Sequence, residues 1–203
     1  MSVVVDFPYD FSTPNNYLVH KVLPGIAERT GATFNYIPVL LGGIFRATGN
    51  QAPMMAFAGI PAKMAYENLE FRRFIKANNI PFKMNPYFPL NTVMSIRGAL
   101  VAKERSELEA YTDAVYDAMW LDEKKCDEAD VLIEVLDKAG LDGKALVEGT
   151  QDQAIKDKLI ENTEWAVSKG AFGLPTFFVG DEMFWGKERL GQLEDEIKKQ
   201  SAA

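Results

Sequence analysis

The chain has 203 residues, 47% hydrophobic and 25% charged, with a formal net charge of −7 at pH 7. That profile excludes a disordered or fibrous chain and suits one large globular domain, or two small ones sharing a core. The acidic field repels phosphate backbones, and no run approaches the ~18 apolar residues of a membrane span, so neither nucleic acid nor a bilayer is expected as a partner.

The N-terminus, MSVVVDFPYDF, carries neither a basic leader nor a long apolar run. It reads as a mature strand and points to a cytoplasmic protein. Val3 to Phe7 is β-branched, as in a buried strand. Thr13 then fits a helix N-cap, and Pro14 the first helical position, where its missing N–H costs nothing. Tyr17, Leu18, Val22, Leu23 and Ile26 recur at helical spacing. Pro24 inside that pattern predicts a kink or restart, and Gly31 a C-terminal stop. Thr33 to Val39 alternates as a second strand, which makes a parallel βαβ unit.

The middle of the chain is helical. Helices are predicted from Pro61 to about Asn79 and near 91–104, 106–121, 127–139 and 151–169, the last opened by a Thr150/Gln153 capping box. From Leu40 to Arg105 there are nine Lys and Arg against three Asp and Glu. A basic block in an acidic protein suggests a site for a small anion, although most of these cations fit solvated helix faces. Cys126, the only cysteine, lies in the run DEKKCDEAD, whose carboxylates disfavour a thiolate. A single cysteine excludes internal disulfides, and no metal site is expected.

The C-terminal part returns to strands. Pro175 to Val179 reads as a strand, Gly180-Asp181 as a two-residue turn, and Glu182 to Trp185 as the returning strand. Lys187 to Lys199 is an amphipathic helix. The order βαβ, helices, ββα predicts an α/β protein: a thioredoxin-like fold interrupted by an all-helical insertion. Residues 1–42 and 172–203 would form the discontinuous thioredoxin-like domain, and residues 43–171 the helical insertion domain.

Such folds act at the N-terminus of the first helix, where the dipole and free N–H groups stabilise an anion. A redox member needs two cysteines there. Here the four residues are Thr13-Pro14-Asn15-Asn16, so dithiol exchange is impossible without another source of sulfur. What remains is an anion-stabilising helix end with one hydroxyl. By itself Thr13 is more often just a cap. The run Gly173-Leu174-Pro175-Thr176 shifts that balance. A proline opening this strand is typically cis and faces the active helix, and the residue before it offers its backbone to an extended peptide. Glutathione is such a peptide and carries the missing sulfur.

These residues resemble the 2-hydroxychromene-2-carboxylate isomerase and kappa-class glutathione transferase family, within the DsbA-like group. The resemblance rests on Asp10-Phe11, Pro14 and Tyr17-Leu18, on Leu41-Gly42-Gly43-Ile44-Phe45 with Thr48-Gly49-Asn50, on Pro61-Ala62-Lys63, and on the run from Phe172 to Gly186. It implies reduced glutathione as cofactor, a homodimer, and isomerase or transferase activity. It also implies that Thr13 stabilises the glutathione thiolate, that Leu174 beside Pro175 holds the cysteinyl backbone, that Glu188 meets the γ-glutamyl end, and that Lys63 meets the glycyl carboxylate with Asn50 lining the same cleft. Thr13 replaces the family's usual serine and Glu188 its usual aspartate.

The implied reaction is reversible addition of the thiolate to an unsaturated aromatic keto acid, an anionic small molecule, with rotation about the former double bond. The rivals are a transferase or peroxidase using the same cofactor, and a non-catalytic binding module. Arg97 is a candidate for the substrate carboxylate. His20, about two turns along the first helix from Thr13, reads as a packing or surface residue, and Trp120 and Trp165 as core. Trp185 and Asn91-Thr92 divide evenly between structural and cleft positions.

Overall fold

A computed structural model describes residues 2–202. Strand β1 (Val4–Tyr9) runs into helix α1 (Pro14–Thr30) and returns as β2 (Thr33–Pro38), parallel to β1 from Val4↔Thr33 to Tyr9↔Pro38. Thr13 is the N-cap of α1, with Pro14 in the first turn, and Gly31 closes the helix at φ 69°. Only a residue without Cβ takes that left-handed conformation at little cost. Pro24 does not interrupt the helix, which is continuous for 17 residues. Burial of Tyr17, Leu18, Leu23 and Ile26 around the proline holds it together.

The helical middle has more pieces than the sequence pattern shows. It consists of α2 (Leu41–Thr48), α3 (Pro53–Ala56), α4 (Pro61–Asn78), α5 (Val93–Glu104), α6 (Leu108–Trp120), α7 (Ala129–Lys138), α8 (Gly143–Gly149) and α9 (Gln153–Ser168). The unforeseen α2, α3 and α8 are 8, 4 and 7 residues long, too short to establish a helical period. The boundary between 42 and 43 falls inside α2. The Thr150/Gln153 capping box is not formed. Asp152 is the N-cap of α9, while the Thr150 hydroxyl donates to the Val147 carbonyl at 2.7 Å and closes α8. A short helix ending just upstream claimed the residue that would have capped the next one.

Strand β3 (Thr176–Val179) pairs antiparallel with β1, and β4 (Glu182–Trp185) with β3, giving the order β2-β1-β3-β4. Gly180 takes φ 60° in the turn between them. Lys187–Arg189 forms one turn of 310 helix before α10 (Leu190–Ser201). The expected final helix therefore starts three residues late.

Side chains alternate across the central strands. Val5, Phe7, Tyr9 and Phe177 enter the main core with Tyr17, Leu18 and Ile26 of α1, Leu193 and Ile197 of α10, and Tyr116 and Trp120 of α6. Phe178 enters a second cluster with Val39, Ile44, Ala166 and Leu174. The main core draws on both the strands and the helical middle, so the two parts share one interior. Among the described residues no helix is long and apolar enough to cross a membrane.

Candidate active site

The site is built at the carboxyl end of β1, where the chain turns from Tyr9 through Asp10, Phe11 and Ser12 into Thr13. That turn is clamped from several directions. Asp10 is fully buried. Its carboxylate accepts the Ser12 N–H at 3.1 Å, the Leu41 N–H at 2.8 Å and the Thr92 hydroxyl at 2.6 Å. One side chain thus ties the turn to the first residue of α2 and the N-cap of α5. The Asp10 carbonyl accepts from the Asn16 amide at 3.0 Å and the Tyr116 hydroxyl at 3.3 Å. The Phe11 carbonyl accepts from the Trp120 indole at 3.3 Å. Burial pushes the Asp10 pKa up, against the hydrogen bonds from Thr92, Leu41 and Ser12 that favour its charged form.

Fixed in this way, Thr13 is extended at φ −125° and ψ 129°, and its Oγ1 accepts the Asn15 N–H at 3.3 Å. Accepting leaves its O–H free, and no acceptor among the described residues takes that proton. The first turn of α1 carries no acidic residue to offset its positive end. Ser12 offers a second hydroxyl, buried and without a partner.

Across from this turn stands the segment before β3. The Leu174-Pro175 peptide is cis, as expected. The antiparallel register Val5↔Val179 and Asp6↔Phe178 places the start of β3, and with it the Leu174-Pro175 peptide, at the carboxyl end of β1. Neither the N–H nor the C=O of Leu174 is paired with another backbone group among the described residues. Asn50 donates to the Phe172 carbonyl at 2.7 Å and accepts from the Gln51 N–H at 2.8 Å. It fastens the end of α2 to the 172–175 segment. Trp185 packs on Phe172 at 4.9 Å between ring centroids, and its Nε1 stands 3.1 Å from where a Cβ on Gly173 would be. A side chain at 173 would push the indole away. Trp185 is 45% exposed, so of its two readings the flanking one agrees with its position.

Glu188 follows directly. One carboxylate oxygen is held by the ammonium of Lys187, itself only 6% exposed, and the other accepts no hydrogen bond among the described residues. Lys187 also lies 6.0 and 5.9 Å from the ring centroids of Phe71 and Phe74. Lys63 begins the exposed α4, with its ammonium 3.4 Å from the Phe57 ring centroid. Thr13, Asn50, Leu174 and Pro175 are thus brought to one end of the sheet and Glu188 to the strand beyond it, while no hydrogen bond or ion pair among the described residues links Lys63 to any of them.

His20 is buried, its ring between the Tyr36 hydroxyl at 2.9 Å and Asp113 at 2.7 Å. The bond from His20 holds the Asp113 carboxyl below its usual range. This is a packing role, as its distance along α1 suggested. Trp120 is fully buried and Trp165 partly so. Cys126 is buried and its thiol is pushed up to about 12 by burial, with Asp127 adding to it. Iodoacetamide at pH 8 should therefore leave Cys126 unmodified in the native protein and alkylate it in denaturant. Labelling of the folded chain, read by intact mass, would contradict that burial.

The profile of the DSBA-like thioredoxin domain matches residues 4–198. The chain belongs to this DSBA-like thioredoxin family. Within the family its relatives include a 2-hydroxychromene-2-carboxylate isomerase of Sphingobium xenophagum, 31% identical over 199 residues that cover 96% of this chain and 97% of the relative. Glutathione S-transferase kappa 1 of Caenorhabditis elegans is 26% identical over 96% of this chain and 91% of its own length. A solved structure of 2-hydroxychromene-2-carboxylate isomerase superposes with a TM-score of 0.84 at 28% identity, covering 98% of this chain and 96% of that one. The resemblance read from the sequence is therefore a true membership, and the DsbA-like α/β fold with a helical insertion is the family's own.

Proposed function

We propose that this chain is a glutathione-dependent isomerase acting on an anionic unsaturated aromatic keto acid, as a homodimer in the cytoplasm. The observation that carries the proposal is the cysteine-free helix end: Thr13 presents an uncommitted O–H where redox members need a thiol, at the same end of the sheet as an unpaired Leu174 backbone. The names of its full-length relatives, an isomerase and kappa-class transferases, support the same reading.

The residues present fit glutathione. The free N–H and C=O of Leu174 match the pattern an extended peptide needs to add as a strand. The uncommitted oxygen of Glu188 suits an ammonium, and Lys63 suits a carboxylate. When bound, glutathione supplies a thiol whose ionised form adds reversibly to an electron-poor carbon. Thr13 and the amino end of α1 hold negative charge at the sulfur, and the Asp10 clamp keeps the hydroxyl in place. Asn50 keeps the 172–175 segment aligned through the Phe172 carbonyl. Trp185 shields one side of the cleft from water.

The kappa-class match favours a second reading, transfer of glutathione onto the product. Glutathione stoichiometry during turnover separates the two: isomerisation consumes none, and transfer consumes one per product.

Reduced glutathione and S-methylglutathione, each at a hundredfold excess over Kd, should raise the melting temperature by roughly 5–10 °C. Lys63→Ala should weaken binding about ten- to hundredfold, as for a lost charge-assisted hydrogen bond, and leave the ligand-free melting temperature unchanged. No shift at millimolar ligand would remove the cofactor from the reading. Equal binding by the Lys63 variant would remove that residue alone.

A further inference from the structure

Two of the cations in the basic block, Arg46 and Arg97, come together in a place the sequence did not indicate. A pocket of about 590 Å³ opens between α2, α5 and α9, and Lys156 of α9 joins them in its wall. The apolar part of the lining comes from Leu40, Val93, Leu159, Ile160 and Val167. The pocket lining includes Arg97 but none of Thr13, Asn50, Leu174, Pro175 or Glu188.

Its charge is unbalanced. Three cations face one carboxylate, Glu164, and none of the four makes an ion pair or a side-chain hydrogen bond among the described residues. This stands out because most other lysines of the helical middle are paired, as with Lys125–Glu128, Lys138–Glu134 and Lys158–Glu161. The Nε of Arg97 is buried and has no acceptor. A guanidinium N–H removed from water without a partner is unfavourable, and an anion delivered into the pocket would correct it. A planar guanidinium fork matches a carboxylate through two parallel hydrogen bonds. The volume lies within the roughly 300–1,000 Å³ of small-molecule sites, and a mostly apolar wall with a few convergent polar groups is their usual composition.

We propose that this pocket is a second binding site, for an organic carboxylate with a compact apolar body. The carboxylate pairs with Arg97, with Arg46 and Lys156 closing over it, and the body fills the space between Val93 and Leu159. The site is independent of the glutathione cleft and of the reaction proposed there.

Isothermal titration tests it without glutathione, using 4-isopropylbenzoate, its uncharged amide, and acetate as probes. The benzoate should bind at sub-millimolar Kd, and the amide and acetate at least about tenfold more weakly, each lacking one half of the recognised chemistry. Arg97→Gln should weaken the benzoate about tenfold or more. Arg46→Gln, on an exposed helix face that does not threaten folding, should weaken it severalfold. Saturating S-methylglutathione should leave the benzoate affinity unchanged. The proposal is overturned if the benzoate fails to bind at millimolar concentration, if acetate binds equally well, if neither arginine variant weakens it, or if S-methylglutathione displaces it. The last outcome would place the ligand in the cleft and leave the glutathione reading standing.

Discussion

Replacing Thr13 by valine should raise the pKa of the glutathione thiol in the complex by about one unit and lower turnover about ten- to hundredfold, while binding changes little. A free thiol ionises near pKa 8.5, so at neutral pH only a small fraction is thiolate. The protein has to supply the difference. Thr13 is placed to do so because its Oγ1 already accepts the Asn15 N–H, which leaves the O–H to donate. Valine keeps the branched shape and removes the donor. Binding survives because the Leu174 backbone and the ionic contacts do not involve the hydroxyl. Thr13→Ser should retain most activity. Ser12→Ala is the discriminating control, since the Ser12 hydroxyl is also buried and unpartnered. The measurement is a pH titration of thiolate absorbance in the three variants with glutathione bound. If Ser12→Ala raises the pKa and Thr13→Val leaves it alone, the donor is Ser12.

Removing the Asp10 carboxylate should have the largest effect on stability. Asp10→Ala strands three donors, the part-buried Ser12 and Leu41 N–H groups and the buried Thr92 hydroxyl. At about 1–3 kcal/mol for each unsatisfied group, with some regained by water or relaxation, the loss should be about 3–5 kcal/mol. Asp10→Asn should cost less, because one amide oxygen still accepts. The pH dependence distinguishes the two states of this carboxyl. Burial raises its pKa above the ordinary value of 3.8, so the folded chain binds the proton more tightly than the unfolded chain. The stability this provides is complete below the ordinary value and is lost as pH rises through the raised one. The advantage of the parent over Asp10→Asn should therefore shrink as the pH rises above the ordinary value of 3.8. A gap that widens as the pH rises would mean that the three hydrogen bonds outweigh burial and hold the carboxylate charged. Turnover should fall in both variants, because Asp10 positions the turn that carries Thr13.

What the sequence determined by itself is what neighbouring residues decide. Thr13 and Pro14 begin α1, Gly31 ends it, and Gly180-Asp181 reverses β3 into β4. Each follows from a cap, a fixed φ or a left-handed turn, which needs only the adjacent few residues. The absence of cysteine from Thr13-Pro14-Asn15-Asn16 excluded dithiol exchange in the same direct way. The β-branched run from Val3 to Phe7 likewise announced a buried strand.

Tertiary structure decided what depends on residues far apart in the chain. Asp10 stands in the sequence as an acid between two aromatics at the end of an apolar strand, a visible signal with no visible partner. Its meaning came from Leu41 and Thr92, 31 and 82 positions away. Asn50 became a fastener only when the fold placed the Phe172 carbonyl beside it, 122 positions on. Thr150 lost its expected capping role because α8, too short for periodicity to reveal, ends on it. Arg46, Arg97 and Lys156 form one charged wall because α2, α5 and α9 pack side by side. A local pattern fixes the conformation of its own segment, but the partner of a buried polar group is set by which segments the shared core brings together.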